Sequence, residues 1–183
     1  MRPSRHNSTR RRSAPRHRGG FTLIETALAV VIVGTGVLAM VLAQESVHRQ
    51  NRWGARAARA ARLGNEIRER CFNLAPWDPV TATAFWGAEP GETSVADFDD
   101  IDDFDGLIFS GATGPIDGGG VVIPDMVGWQ QEVTVEPVDP GDLSTVVAAG
   151  TTDVLRVRVD VSAPAEPGGV PELITSVTWV QSW

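Results

Sequence analysis

Residues 16–44, RHRGGFTLIETALAVVIVGTGVLAMVLAQ, decide how this chain is built. From Phe21 to Leu42 the sequence runs 22 residues with one charge, Glu25. As a helix this run reaches about 33 Å at about 1.5 Å per residue, which matches a hydrocarbon core of about 30 Å. A carboxylate inside such a segment costs about 3 kcal/mol or more, so Glu25 calls for a role beyond filling a position.

The flanks orient the span. All 16 basic residues of the 183 are arginine, and seven of them (Arg2, Arg5, Arg10, Arg11, Arg12, Arg16, Arg18) precede Phe21, where there is no acid. The positive-inside rule then keeps this end in the cytoplasm and sends everything after Ala43 outward. An ordinary secretory signal has a shorter apolar core and a small-x-small cleavage site. Val41 and Ala43 would supply such a site before Gln44, so a cleaved signal peptide and a plain single-pass anchor both compete. Neither accounts for Gly19-Gly20 abutting Phe21, or for Glu25.

The contiguous motif GGFTLIE, residues 19–25, resembles the cleavage and methylation signature of type IV prepilins and of the pseudopilins of type II secretion. The resemblance implies a leader at residues 1–20 and cutting after Gly20 by a prepilin peptidase on the cytoplasmic face. Phe21 becomes the methylated N-terminus and Glu25 the fifth mature residue. Cutting creates an ammonium at Phe21, and an apolar-embedded carboxylate needs a cation, because isolated buried charges are far costlier than paired ones. In a filament, Glu25 of one subunit would neutralise the Phe21 amine of another and set the axial register. Without the family pattern, Glu25 reads as a side chain that snorkels to the interface. Gly34 and Gly36 weaken the helix; they serve either loosening on assembly, as in the family, or close helix packing. ALAVVIVGTGVLA, residues 27–39, is more similar to minor components than to an abundant major subunit.

Residues 44–75 continue the helix, rich in Ala and Arg and free of proline until Pro76 and Pro79 stop it. Trp53, Ala57, Ala60, Gly64, Ile67, Cys71 and Leu74 share one face that could lie on a sheet. Arg49, Arg52, Arg56 and Arg59 form a neighbouring stripe, either solvated or packed on acidic heads of adjacent subunits. Segment charges favour a polymer: residues 44–70 hold seven Arg against three Glu, whereas residues 71–183 hold two Arg against 19 acids.

Residues 76–183 form the head. VADFDDIDDFDG places Asp97, Asp99, Asp100, Asp102, Asp103 and Asp105 within nine positions, a density that invites calcium. The EF-hand template fails, with Ile101 at the first ligand position and Ala112 where the bidentate Glu belongs. An exposed acidic loop is the favoured expectation, although Phe98, Ile101 and Phe104 at every third residue hint at a docked turn. QQEVTVEPV, DVLRVRVDVSA and ELITSVTWVQSW each alternate, with Leu155, Val157, Val159 and Val161 on one face and Arg156, Arg158 and Asp160 on the other. DPGD and APAEPGG separate them. Three antiparallel strands on the amphipathic helix half make an α+β head, similar to the pilin fold.

Composition narrows the function. Without residues 1–20 the chain holds nine Arg against 23 acids, a net −14 that disfavours nucleic acid as a partner. Cys71 is the only cysteine, which rules out an intramolecular disulfide, a CxxC pair and a structural zinc site. It reads as a small semi-buried hydrophobe, with an intermolecular disulfide as the alternative. His6 and His17 precede the span and His48 stands alone on a helix, so there is no triad and no metal cluster, and DGGG at 117–120 reads as a turn. The expectation is a non-enzymatic pilin or pseudopilin subunit with no cofactor other than that calcium, rooted in the inner membrane and partnered by other subunits. The alternative is a membrane-anchored or secreted binding module.

Overall fold

The computed structural model describes residues 20, 22–77, 86–166 and 168–182; the arginine-rich leader, Phe21, Pro79 and Trp183 lie outside these. The chain divides into one unit ending at His48 and a second beginning at Arg49. One helix, α1, runs Leu23–Cys71 and contributes to both.

In the first unit every described residue from Thr22 to His48 is exposed, and this part of α1 is long and apolar enough to cross a membrane. Thr35 hydroxyl donates to the carbonyls of Val31 and Ile32, both at 3.0 Å, which satisfies a polar side chain inside the apolar run.

In the second unit the rest of α1 backs an antiparallel sheet, giving an α+β architecture. The strands are β1 Ile108–Ser110, β2 Gln130–Asp139, β3 Asp142–Val146, β4 Val154–Pro164 and β5 Pro171–Ser182. Their order is β1-β2-β4-β5, with β3 paired to the far end of β2. The three long alternating segments are β2, β4 and β5. Val133 faces Val159 and Val135 faces Val157 across β2 and β4, while Val159 faces Val177 and Val157 faces Trp179 across β4 and β5. Leu155, Val157, Val159 and Val161 are fully buried, as period-two alternation requires. DPGD turns β2 into β3, a strand exposed along its whole length. Arg156 holds that hairpin down: it donates to Glu136 Oε2 from Nε and Nη2 at 3.1 and 2.7 Å, and from Nη1 to the Leu143 carbonyl at 2.8 Å.

The core lies between the sheet and one stripe of α1: Ala60, Leu63, Gly64, Ile67 and Cys71. The stripe starts later than expected, because Trp53 is 58% exposed, and it includes Leu63, which the three-and-four spacing from Trp53 passes over. Gly64 lets the helix approach β5; a methyl group there would overlap Val177. Gln131 is fully buried, donates from Nε2 to the carbonyls of Leu63 and Ile116 at 2.8 and 3.0 Å, and accepts from Ile116 N–H at 2.8 Å. At DGGG, Asp117 Oδ1 accepts from Gly119 and Val121 N–H, both at 2.9 Å, forming the expected turn.

Candidate functional site

Two regions carry the candidate residues. At the helix start, Gly20 is exposed, Phe21 is outside the described residues, and Thr22 directly precedes α1. Thr22 N–H donates to Glu25 Oε2 and Glu25 N–H to Thr22 Oγ1, both long at 3.4 Å. These are the two arms of a capping box, which satisfies otherwise unpartnered donors at a helix N-terminus. Thr-x-x-Glu is legible in the sequence, yet this use of Glu25 was not among the expected ones. The carboxylate also lies in the first turn, where the helix dipole favours negative charge.

The second region is the acidic turn. It is not the exposed loop expected from its composition. Phe98, Ile101 and Phe104 are buried in the core, with Phe98 edge-on to Phe104 at 5.2 Å. Asp102–Phe104 form a 3-10 turn that carries Phe104, with Ile101 directly before it. The correction concerns the acids: Asp100 and Asp102 are 0% exposed and Asp103 is 2% exposed.

Five of the six aspartates separate into two groups, and the sixth, Asp102, is buried beside Asp100. Asp97 remains exposed, and its Oδ2 accepts from Ser94 Oγ at 2.8 Å and Ser94 N–H at 3.0 Å. The Ser94 hydroxyl foremost, together with the Thr93 amide, holds this carboxyl below its usual range. Asp105 accepts from Val135 N–H and from Trp86 Nε1, both at 2.9 Å, and so fastens the turn to β2. Both aspartates are therefore structural. Asp99, Asp100 and Asp103 instead converge, with one oxygen of each within 4.8 Å of the others. Glu89 and Glu92 approach Asp103 in the same manner. These two glutamates were missed: EPGE, residues 89–92, is separated from the aspartates in sequence and only the turn at Pro90-Gly91 folds it back.

Burial dominates the electrostatics. Asp103 Oδ2 accepts from Asp99 and Asp100 N–H at 3.2 and 3.4 Å, and Asp100 Oδ1 accepts from Asp103 N–H at 3.3 Å. Desolvation first, and the neighbouring Asp102 next, push the Asp100 carboxyl up to about 8. Desolvation and then the charge of Asp100 push Asp103 up to about 7, and burial raises Asp102 as well.

Part of the arginine stripe is engaged within the chain. Arg56 Nη2 donates to the carbonyls of Ala163 and Pro164 at 3.2 and 2.9 Å, and Arg59 lies over the Trp129 ring at 5.8 Å. No protein-family model matches the chain, and neither does a curated protein or a solved structure.

Proposed function

We propose that the chain is a subunit, of minor rank, of a membrane-rooted filament of the type IV pilus or type II secretion pseudopilus class. Prepilin peptidase processes it after Gly20. One observation carries the proposal: an unbroken Gly-Phe-Thr-Leu-Ile-Glu motif leads directly into a 49-residue helix, apolar and uncovered on all sides in its first half and backing an antiparallel sheet in its second. An all-round apolar helix must be covered by lipid or by other helices. Before assembly the inner membrane covers it, with the N-terminus cytoplasmic and the head outside. In the filament, neighbouring helices of the same kind replace lipid.

Glu25 then has two successive partners. In the isolated subunit it closes the helix start through Thr22. In the polymer it accepts the ammonium that cleavage creates at Phe21 of an adjoining subunit, a full ion pair in place of a long 3.4 Å contact to a backbone amide. The head is a structural rather than a catalytic body, and its acidic balance makes nucleic acid a poor partner for the isolated subunit.

Mass spectrometry of the N-terminal peptide, on protein isolated from its native envelope, tests the proposal. An N-methylated chain starting at Phe21 is the expected result. A start at Gln44 would assign the segment to signal peptidase, and an intact Met1 would make it an uncleaved anchor; either favours a binding module over a filament subunit.

A further inference from the structure

Unmet charge of opposite sign lies at the two ends of β4. Arg52, Arg56 and Arg59 follow one another at helical spacing along α1. Among the described residues none of the three forms an ion pair, although the chain after residue 20 holds 23 acids against nine arginines. The carbonyls of Ala163 and Pro164, at the end of β4, and the ring of Trp129 leave the charges of Arg56 and Arg59 uncompensated. These two arginines border a groove of about 420 Å³ with Val127, Trp129, Pro164 and Gly168, and Glu166 lines it without pairing either of them. The rim is apolar as well as basic, since Val127 is 92% exposed and Val170, just past Gly169, is 82% exposed.

The other end of β4 carries the reverse. Residues 137–155 hold Asp139, Asp142 and Asp153, all exposed, and no arginine. Arg156, next along the chain, is already taken by Glu136 at 2.7 Å. Asp139 and Asp142 flank Pro140-Gly141 at the tip of the β2–β3 hairpin. The Ser144 hydroxyl foremost, then that of Thr145, holds the Asp142 carboxyl below its usual range, so it stays charged. Leu143 and Val146 are exposed on β3, a strand with no side chain buried in its own core. Leu155 and Ala163 are eight residues apart on β4, about 27 Å at about 3.4 Å per residue. That is several times the Debye length of about 8 Å at physiological salt, so the two ends do not satisfy each other within one chain.

We propose that the hairpin tip of one copy, Asp139–Asp142, docks in the Arg56–Arg59 groove of a second copy. Asp139 and Asp142 meet the arginines, with Arg52 one helical turn from the groove, and Leu143 and Val146 meet the exposed valines of its rim. A chain of net −14 after residue 20 repels its own copies, and a basic groove that receives an acidic tip reverses that repulsion at one place and in one orientation. The two surfaces differ and lie at opposite ends of one strand, so the contact is heterologous: it joins copies head to tail and does not close a two-fold pair. Two adjacent copies suffice to make it, as a subunit of minor rank requires. The contact goes beyond the filament proposal and is independent of processing at Gly20, because it involves the second unit alone.

Oxidative cross-linking of the purified full-length protein in detergent, with copper phenanthroline, tests it; Cys71 is buried and stays out of the reaction. A mixture of Val127→Cys and Pro140→Cys proteins should form a disulfide-linked dimer containing one of each, while neither variant alone dimerises. Raising salt from about 0.05 M to about 0.5 M should cut the yield about fivefold. Asp139→Arg in the Pro140→Cys copy, or Arg59→Glu in the Val127→Cys copy, should cut it about as far, and mixing the two reversed copies should restore it. Restoration is a readout that misfolding of either variant could not give. Absence of the mixed dimer would overturn the proposal, as would loss without restoration, or dimers of one variant alone, which mark a two-fold contact. Binding of phosphatidylglycerol vesicles that Arg59→Glu abolishes, with no mixed dimer, would assign the arginines to anionic lipid instead.

Discussion

Gln131 joins three elements through one buried amide: its Nε2 reaches the Leu63 carbonyl of α1 at 2.8 Å while its Oε1 takes the Ile116 N–H at the same distance. Every polar atom of this side chain is used, and none is accessible to water. Removing it strands the Ile116 amide and carbonyl in the core, and each unsatisfied buried group costs about 1–3 kcal/mol. Gln131→Leu should therefore destabilise the head by about 2–4 kcal/mol despite its good volume match, as read from the Tm of the full-length protein. A change below about 0.5 kcal/mol would mean that the loop at Ile116 satisfies itself some other way.

Gly64 sets the distance between α1 and β5. In an unpacked helix Gly→Ala stabilises by about 1 kcal/mol. Here the new methyl would press on Val177, and overpacking costs about 1–3 kcal/mol, so the sign should reverse. Gly64→Ala is expected to lower Tm, and pairing it with Val177→Ala should recover part of the loss. A non-additive double-mutant cycle is the measurement that checks this contact.

Cys71, the last residue of α1, lies well beyond the apolar run of residues 21–42 and is fully buried. Burial pushes its thiol from 9.0 up to about 12. The folded protein should react with a maleimide at neutral pH far more slowly than the unfolded chain, because the nucleophile is the thiolate. The sign of the linkage follows: below pH 9 both states keep the proton, and between pH 9 and about 12 only the unfolded state releases it, so stability falls as pH rises through that window. Cys71→Ser should flatten the thiol's share of that fall. Ready labelling of the folded protein would show that the C-terminal end of α1 opens.

Glu25 separates charge from capping. Glutamine serves in a capping box as glutamate does but cannot pair with an ammonium. Glu25→Gln is expected to leave cleavage after Gly20 intact and to reduce incorporation into filaments about tenfold or more, since breaking a buried charge pair costs about 3–5 kcal/mol. Immunoblots of sheared filaments against membrane-retained protein measure this. Full incorporation of Glu25→Gln would leave capping as the role of this residue.

The long periodic segments were legible from sequence. Alternation over residues 154–161 specified which side of β4 is buried, because period two admits only two assignments and the valines occupy one of them. The apolar run from Phe21 and the prolines after Cys71 bounded the helix for equally local reasons. Short elements escaped: β1 has three residues and β3 no buried one, and neither length nor pattern marks them apart from loop.

The sequence by itself determined where apolar surface must be hidden, since periodicity and span length are properties of the chain alone, and it set out the motif at residues 19–25. Tertiary structure decided what those surfaces were placed against. It put Trp53 outside the core and Leu63 inside it, engaged Arg56 with the carbonyls of Ala163 and Pro164, and turned Asp100, Asp102 and Asp103 inward beside Glu89 and Glu92. Burial is fixed by what packs from distant parts of the chain, and no spacing within residues 97–105 carries that information.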